Sequence, residues 1–337
     1  MAIFLKTDKM RKILIDPNFA IEERDIKDFL GEFGPFNGQY IARYPSDWKK
    51  RLVKHVDELQ LKPVNYQAIL DRIRNEADLC SFPVAWQWEA ENSWIKNAEI
   101  ILDNHPNAIV VGDALDPTPF VNWIDALDEI RESRRRSWPF NSSISAYEDS
   151  CLPLLLNSPA AYLIDPHLDP FSNMVENLLR SLLSKAKGSS CYAFDLIIAP
   201  DSCGATNRPK NDPTRMTESE IETLFRRTYA DVVPKDRTLR LHLVFKSKFG
   251  INGELDLHDR FFLTKHGSIS FGRGYSFQRF EDQKTKLINA FVTDKAHHLQ
   301  LKRTYIDGVA RHAEGLPKVA GVAYPHRVST LTIHPVT

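Results

Sequence analysis

Net charge of either sign is missing from this chain: 44 Lys and Arg residues are balanced by 44 Asp and Glu. No global basic field announces a polyanionic partner, so any such site has to come from local clustering. Cysteine is scarce. The four present, Cys80, Cys151, Cys191 and Cys203, lie far apart and form no CxxC pair. That spacing gives no support to a zinc site or a disulfide framework. Long apolar runs are also lacking, since no stretch reaches the roughly 18 residues that span a bilayer. The opening MAIFLKTDKMRK is too charged, and its apolar run too short, for a signal peptide. No internal repeat or low-complexity tract stands out. The expectation is a reduced, cytoplasmic protein with no cofactor and no metal.

What is present is ordinary globular composition, 42% hydrophobic and 26% charged over 337 residues. That length accommodates about two domains of roughly 150 residues each. Residues 1–45 read as a turn-rich opening in which ILIDP (13–17) forms a short strand. Helical spacing then takes over. Trp48, Leu52, Val56 and Leu59 recur on one face, Ile69, Ile73 and Ala77 on another, and 94–104 gives a third helix. AIVVGDAL (108–115) is a buried-strand pattern, and 120–136 is an amphipathic helix with a basic end at Arg134–Arg136. The polar stretch 139–150 marks the domain boundary, within about ten residues.

Beyond it, strand and helix patterns intersperse: 160–165, 174–186, 192–199, 218–232, 239–245, 254–264, 267–277 and a last segment, 282–299. The fold class expected is α/β, a mixed sheet flanked by helices and preceded by a mainly helical N-terminal domain. The divisions are 1–150, 151–305 and a C-terminal tail, 306–337. A loop without periodicity, 201–216, separates a strand from a helix, and loops of that length are either functional or disordered.

The segment LDLHDRFFLTKHGSISFGRGYSF (255–277) carries the chemistry. A strand puts His258 and Arg260 on one face, because side chains two apart point the same way. A hairpin at Lys265–Gly267 returns the chain to Gly272, Arg273 and Gly274 near the His258 end. One imidazole and two guanidiniums suit a phosphate, whose oxygens accept forked guanidinium hydrogen bonds. Glycines on either side let the backbone approach an oxyanion. The same residues also read as a solvated strand face paired with Asp256 and Asp259.

These residues resemble the phospholipase D superfamily, whose motif is HxK, four residues, Asp, six residues, then Gly-Ser. Here His258-Asp259-Arg260 is followed by four residues, Lys265, six residues, and Gly272-Arg273. The spacing is kept while Lys becomes Arg, Asp becomes Lys and Ser becomes Arg. The pattern is most similar to the phospholipase D-like domain at the C-terminus of MIT-domain proteins, with its HDR and GRG segments. Related HDR-type domains occur in bacterial proteins linked to defence against phage and mobile DNA. That family has an upstream strand ending in Asp-Pro-aromatic before a Leu-rich helix. AYLIDPHLDPFSNMVENLLRSLL (161–183) is similar, with Asp165 as a supporting residue and His167 in the aromatic place. The likeness covers about residues 158–300.

In catalytic members, as the resemblance implies, the histidine attacks phosphorus and the lysine stabilises charge, with a second motif supplying the acid. This chain has one recognisable copy, so an active nuclease would be a dimer working through His258 and Arg260. The altered positions keep phosphate affinity and remove part of the proton-handling machinery. The favoured expectation is therefore a phosphodiester-binding module with His258, Arg260, Lys265, Gly272, Arg273 and Gly274 as phosphate contacts and nucleic acid as ligand. The alternatives are a metal-independent phosphodiesterase and an adaptor subunit of a larger complex. Basic density at Arg134–Arg136, Arg226-Arg227, Lys246, Lys248 and Arg279 supports nucleic acid. No amphipathic anchor or polybasic tract points to a membrane. Trp86, Trp88 and Trp94 could stack bases or simply pack a core, and His297, His298 and His312 lack metal-ligand partners at the usual spacing.

Overall fold

The computed structural model describes residues 11–15, 30–59, 61–84, 86–104, 109–111, 137–140, 143–187, 189–204, 216–245, 260–271, 288–320, 322 and 324–334. The chain divides into two compact units, Met1–Arg136 and Ser137–Thr337.

The first unit contains a parallel sheet alongside the helices its sequence suggests. Strands β1 (Arg11–Ile15), β2 (Gln39–Arg43), β3 (Ser81–Pro83) and β4 (Ile109–Val111) lie in the order β3-β2-β1-β4. All of the pairings are parallel. Two of these strands, β2 and β3, escape a periodicity reading for a physical reason. A parallel strand is covered on both faces and shows no alternation. Moreover, β3 is three residues long and starts directly where a helix ends.

Helices α1 (Trp48–Glu58) and α2 (Pro63–Cys80) follow the expected spacing. Trp48, Leu52 and Val56 pack with Ile41 of β2 and with Ile69, Ile73 and Ala77. The next residue of β2, Ala42, belongs to a second cluster with Tyr44 and with Trp94, Ala98 and Ile101 of α3 (Trp94–Asn104). Adjacent residues of one strand thus enter different cores, as a doubly covered sheet requires. The helix expected over 120–136 lies outside the described residues.

The second unit is an eight-stranded mixed sheet between helices. Its strands are β5 (Ser137–Phe140), β6 (Ala160–Ile164), β7 (Ala193–Ile198), β8 (Thr238–Phe245), β9 (Phe261–Thr264), β10 (Ser268–Phe271), β11 (Ile288–Val292) and β12 (Arg327–Ile333). Their order is β12-β8-β7-β6-β9-β10-β11-β5. β6, β7 and β8 are parallel, and every other pairing is antiparallel. Helices α4 (Ile144–Leu156), α5 (Asn173–Ala186) and α6 (Glu218–Tyr229) are interspersed with them.

Both sheet faces are apolar and covered. On one, Tyr162, Ile164, Ile197, Val244, Phe261 and Leu263 meet Leu301, Tyr305, Val309 and Ala310. Those four belong to a helix that starts as α7 (Lys295–Leu301) and runs on through wider π-type turns, Lys302–Ala310. On the other face α4 meets β6, β9 and β10, with Tyr147 against Phe271, and α5 packs along α4. The expected boundary at 150 falls inside α4, whose N-cap Ser143 accepts a hydrogen bond from the Ala146 N–H. The expected tail, 306–337, is no tail: it completes the covering helix and supplies β12, paired with β8 along seven residues. Its apolar positions were too sparse to read as a strand, because β12 is a half-exposed edge. The segment 282–299 holds a strand and the start of a helix, β11 and α7.

Candidate functional site

Strand order reverses at β6. The chain leaves β6 through α5 to β7 and through α6 to β8, then crosses to the far side of β6 as β9. At the carboxyl end of β6 its exit toward α5 lies beside the start of β9, its antiparallel neighbour. Two sequence-derived site residues meet there. In the β6–β9 ladder Ile164 pairs with Phe261, so the next positions in register are Asp165 and Arg260. Arg260 Nε lies 3.7 Å from Asp165 Oδ1, the guanidinium side chain 27% exposed and the carboxylate 1% exposed. At that distance the contact is an ion pair and not a hydrogen bond, with the guanidinium partly open to solvent.

The loop after β6 is shaped by two carboxylates. Asp165 Oδ1 also accepts the His167 backbone N–H at 2.9 Å, while the His167 side chain is exposed. Asp169, buried, accepts from the Phe171 N–H at 3.1 Å and the Gly204 N–H at 2.9 Å. This single carboxylate latches the exit of β6 to the exit of β7. Gly204 has φ 69°, a left-handed conformation that suits glycine. Of the long loop expected over 201–216, residues 205–215 lie outside the described residues.

Lys265 does not join the group. It stands in the β9–β10 turn, at the opposite end of β9 from Arg260. Five residues of strand separate their backbones by roughly 16 Å. Linear spacing alone suggested a shared phosphate, but an extended β9 pulls the two apart. The hairpin itself forms at the expected place, with the Thr264 N–H donating to the Gly267 carbonyl and the Phe271 N–H to the Arg260 carbonyl. His258, Gly272, Arg273 and Gly274 lie outside the described residues, as do Arg134–Arg136, Lys246, Lys248 and Arg279. Arg226 is exposed on α6 and paired with Glu222.

Sequence reasoning missed a second polar cluster. Asp195 of β7 is fully buried, with Arg240 Nε at 2.5 Å and Nη2 at 2.9 Å. His242, also buried, sets Nε2 2.7 Å from Asp195 Oδ1 and Nδ1 2.9 Å from Thr330 Oγ1 of β12. Arg240 Nη1 reaches Glu314 at 2.5 Å, tying in the covering helix layer. Burial pushes the Asp195 carboxyl up, but hydrogen bonds and charge from His242 and Arg240 outweigh it and hold it below the usual range. The signal was available: one carboxylate inside YAFDLIIA, and two basic residues at alternate positions in LRLHLVF.

The histidines and cysteines sort themselves plainly. His298 is buried, with Nδ1 3.2 Å from Ser268 Oγ and Nε2 3.3 Å from the Lys265 carbonyl. His297 meets the edge of Phe261, and His312 that of Tyr324. Burial pushes the Cys80 thiol up to about 12 and the Cys191 thiol to about 11, so neither is an activated nucleophile. Among the described residues no group of three or more His, Cys, Asp or Glu is arranged to hold a metal, and no helix is long and apolar enough to cross a membrane.

No protein-family model matches this chain, and a search of curated proteins finds no match.

Proposed function

We propose that the second unit grips a phosphodiester, with nucleic acid as its ligand, at the carboxyl ends of β6 and β7. The observation that carries this reading is the Asp165–Arg260 pair at the strand-order reversal. A partly exposed guanidinium, paired with a buried carboxylate, can offer forked donors to phosphate oxygens. The phospholipase D-like motif spacing adds His258 and Arg273 as further phosphate contacts. The motif's lysine, aspartate and serine are replaced by Arg260, Lys265 and Arg273, which favours holding over cutting. On this reading the unit is a degenerate member of that superfamily, of a kind suited to antiviral defence, working as a homodimer or within a larger complex.

The test is filter binding of short labelled DNA and RNA, single- and double-stranded, at two salt concentrations, with cleavage followed on the same samples. Arg260→Ala is expected to weaken binding about tenfold at low salt and to lower the salt slope by about one. No cleavage is expected. Cutting that disappears in His258→Ala would replace this reading with a nuclease. Binding unchanged in Arg260→Ala would remove the site, and no binding to any phosphodiester would leave an adaptor role.

A further inference from the structure

The first unit contains a cavity of about 470 Å³ lined by Trp86, Gln87, Glu89, Asn97, Ile100, Ile101 and Asn104. It lies between the segment that leaves β3 and helix α3. Its wall from Trp86 to Ser93 has no helix or strand and is nevertheless held firmly. Asn97, 1% exposed, anchors it: its Oδ1 accepts from the Glu89 N–H at 2.9 Å and lies 3.3 Å from the Tyr44 hydroxyl oxygen. Its Nδ2, with two hydrogens to give, lies among the carbonyls of Glu89, Asn92 and Ser93 at 2.9, 3.3 and 3.1 Å. Tyr44 adds a second pin, its hydroxyl donating to the Gln87 carbonyl at 2.9 Å, with its ring edge-on to Trp86 at 6.0 Å. The pocket is therefore preformed, which lowers the cost of ordering on binding.

Its lining has a definite electrical character. Glu89 is exposed and supplies a carboxylate, one oxygen of which accepts from Asn92 Nδ2 at 2.7 Å, and among the described residues none that lines the cavity is basic. Ile100, Ile101 and Asn104 belong to the final turns of α3, so the negative end of an 11-residue helix dipole lies beside the cavity. Asp103 on the same helix keeps the surroundings acidic, while Lys96 and Glu99 pair at 3.0 Å and offset one another. An indole supplies an electron-rich face that attracts cations. Three independent contributions, carboxylate, helix terminus and indole, thus favour positive charge, and the two isoleucines favour an apolar body. A phosphate is disfavoured by all three.

We propose that this cavity is a binding site for a small organic cation, an amine or guanidinium carried on an apolar or aromatic body. Its charged end sits between Glu89 and the Trp86 ring, while Gln87 and Asn104 offer amide hydrogen bonds. The site is separate from the phosphodiester reading of the second unit and of opposite charge preference.

The test uses the full chain and three isosteric probes, phenethylamine, 2-phenylethanol and phenylacetate, followed by ligand-observed NMR and calorimetry. The amine is expected to bind at least tenfold more tightly than the alcohol, and phenylacetate not at all. Glu89→Gln, at an exposed position, is expected to lose about tenfold for the amine with the alcohol unchanged. Trp86→Phe keeps an aromatic wall and should weaken the amine less than Trp86→Leu does. Equal binding of amine and alcohol, unchanged amine affinity in Glu89→Gln, or no binding of the amine at all overturns the proposal.

Discussion

Asp195 and His242 lie on neighbouring parallel strands with Oδ1 and Nε2 2.7 Å apart, and both side chains are fully buried. Truncating the carboxylate takes from the buried His242 its Nε2 partner and from Arg240, which keeps Glu314, its buried one. Breaking a buried charged pair in this way costs about 3–5 kcal/mol. Asp195→Ala is therefore expected to lower protection of β7 and β8 amides in hydrogen exchange by that amount. Wild-type protection in the variant would mean that the cluster contributes nothing.

The same carboxylate makes stability depend on acid. Its folded value is depressed, so the stabilisation is full above the unfolded value of about 4 and is lost as pH falls through the folded value. Urea midpoints between pH 6 and pH 2.5 should fall less steeply in Asp195→Asn than in wild type. Parallel curves would be the contrary result.

His298 and His266 act nearer neutrality. Burial lowers both, and Lys302 adds to it in each; at His298 the bond to the Lys265 carbonyl works the other way. A histidine with a depressed folded value contributes stability that is full above the unfolded value of about 6.5 and is lost as pH falls through the folded value. Melting temperatures should drop between pH 7.5 and 5.5, and His298→Gln should flatten that drop. An unaltered slope would assign the effect elsewhere.

The Asp169 latch is testable by its acceptor alone. Asp169→Ala leaves the Phe171 and Gly204 N–H groups without their partner and is expected to cost about 2–3 kcal/mol. Asp169→Asn retains an acceptor oxygen and should cost much less. Limited proteolysis near Gly204 should separate the two variants, and equal cleavage would argue against a latch.

At the start of α6, the Thr217 hydroxyl accepts the Glu220 N–H while Glu220 accepts the Thr217 N–H at 2.7 Å, a reciprocal cap. Thr217→Ala is expected to cost about 1 kcal/mol in urea unfolding. A change within error would show that the packing of Ile221 and Phe225 alone sets this helix.

Legibility followed the physics of each element. Amphipathic helices such as α1, α5 and α6 were readable, because one covered face imposes a period. The strands β6 to β10 were readable from apolar runs bounded by turns. Short parallel strands were not: β2 and β3 carry no alternation, and the first unit's sheet was missed with them. Arg260 and Asp165 were named from sequence, yet only topology could say that they meet and that Lys265 does not. The Asp195 cluster was overlooked because its members lie on different strands, 45 and 47 residues apart, and only the sheet register unites them.

β12 has a consequence for the growing chain. It flanks β8, and its Thr330 supplies the hydroxyl that His242 needs. Until residues beyond 327 have left the ribosome, β8 presents an open row of peptide groups to any passing strand, with its histidine half-satisfied. Chains that lack β12 should therefore be a target for chaperones, and folding of this unit is held back until β12 pairs with β8.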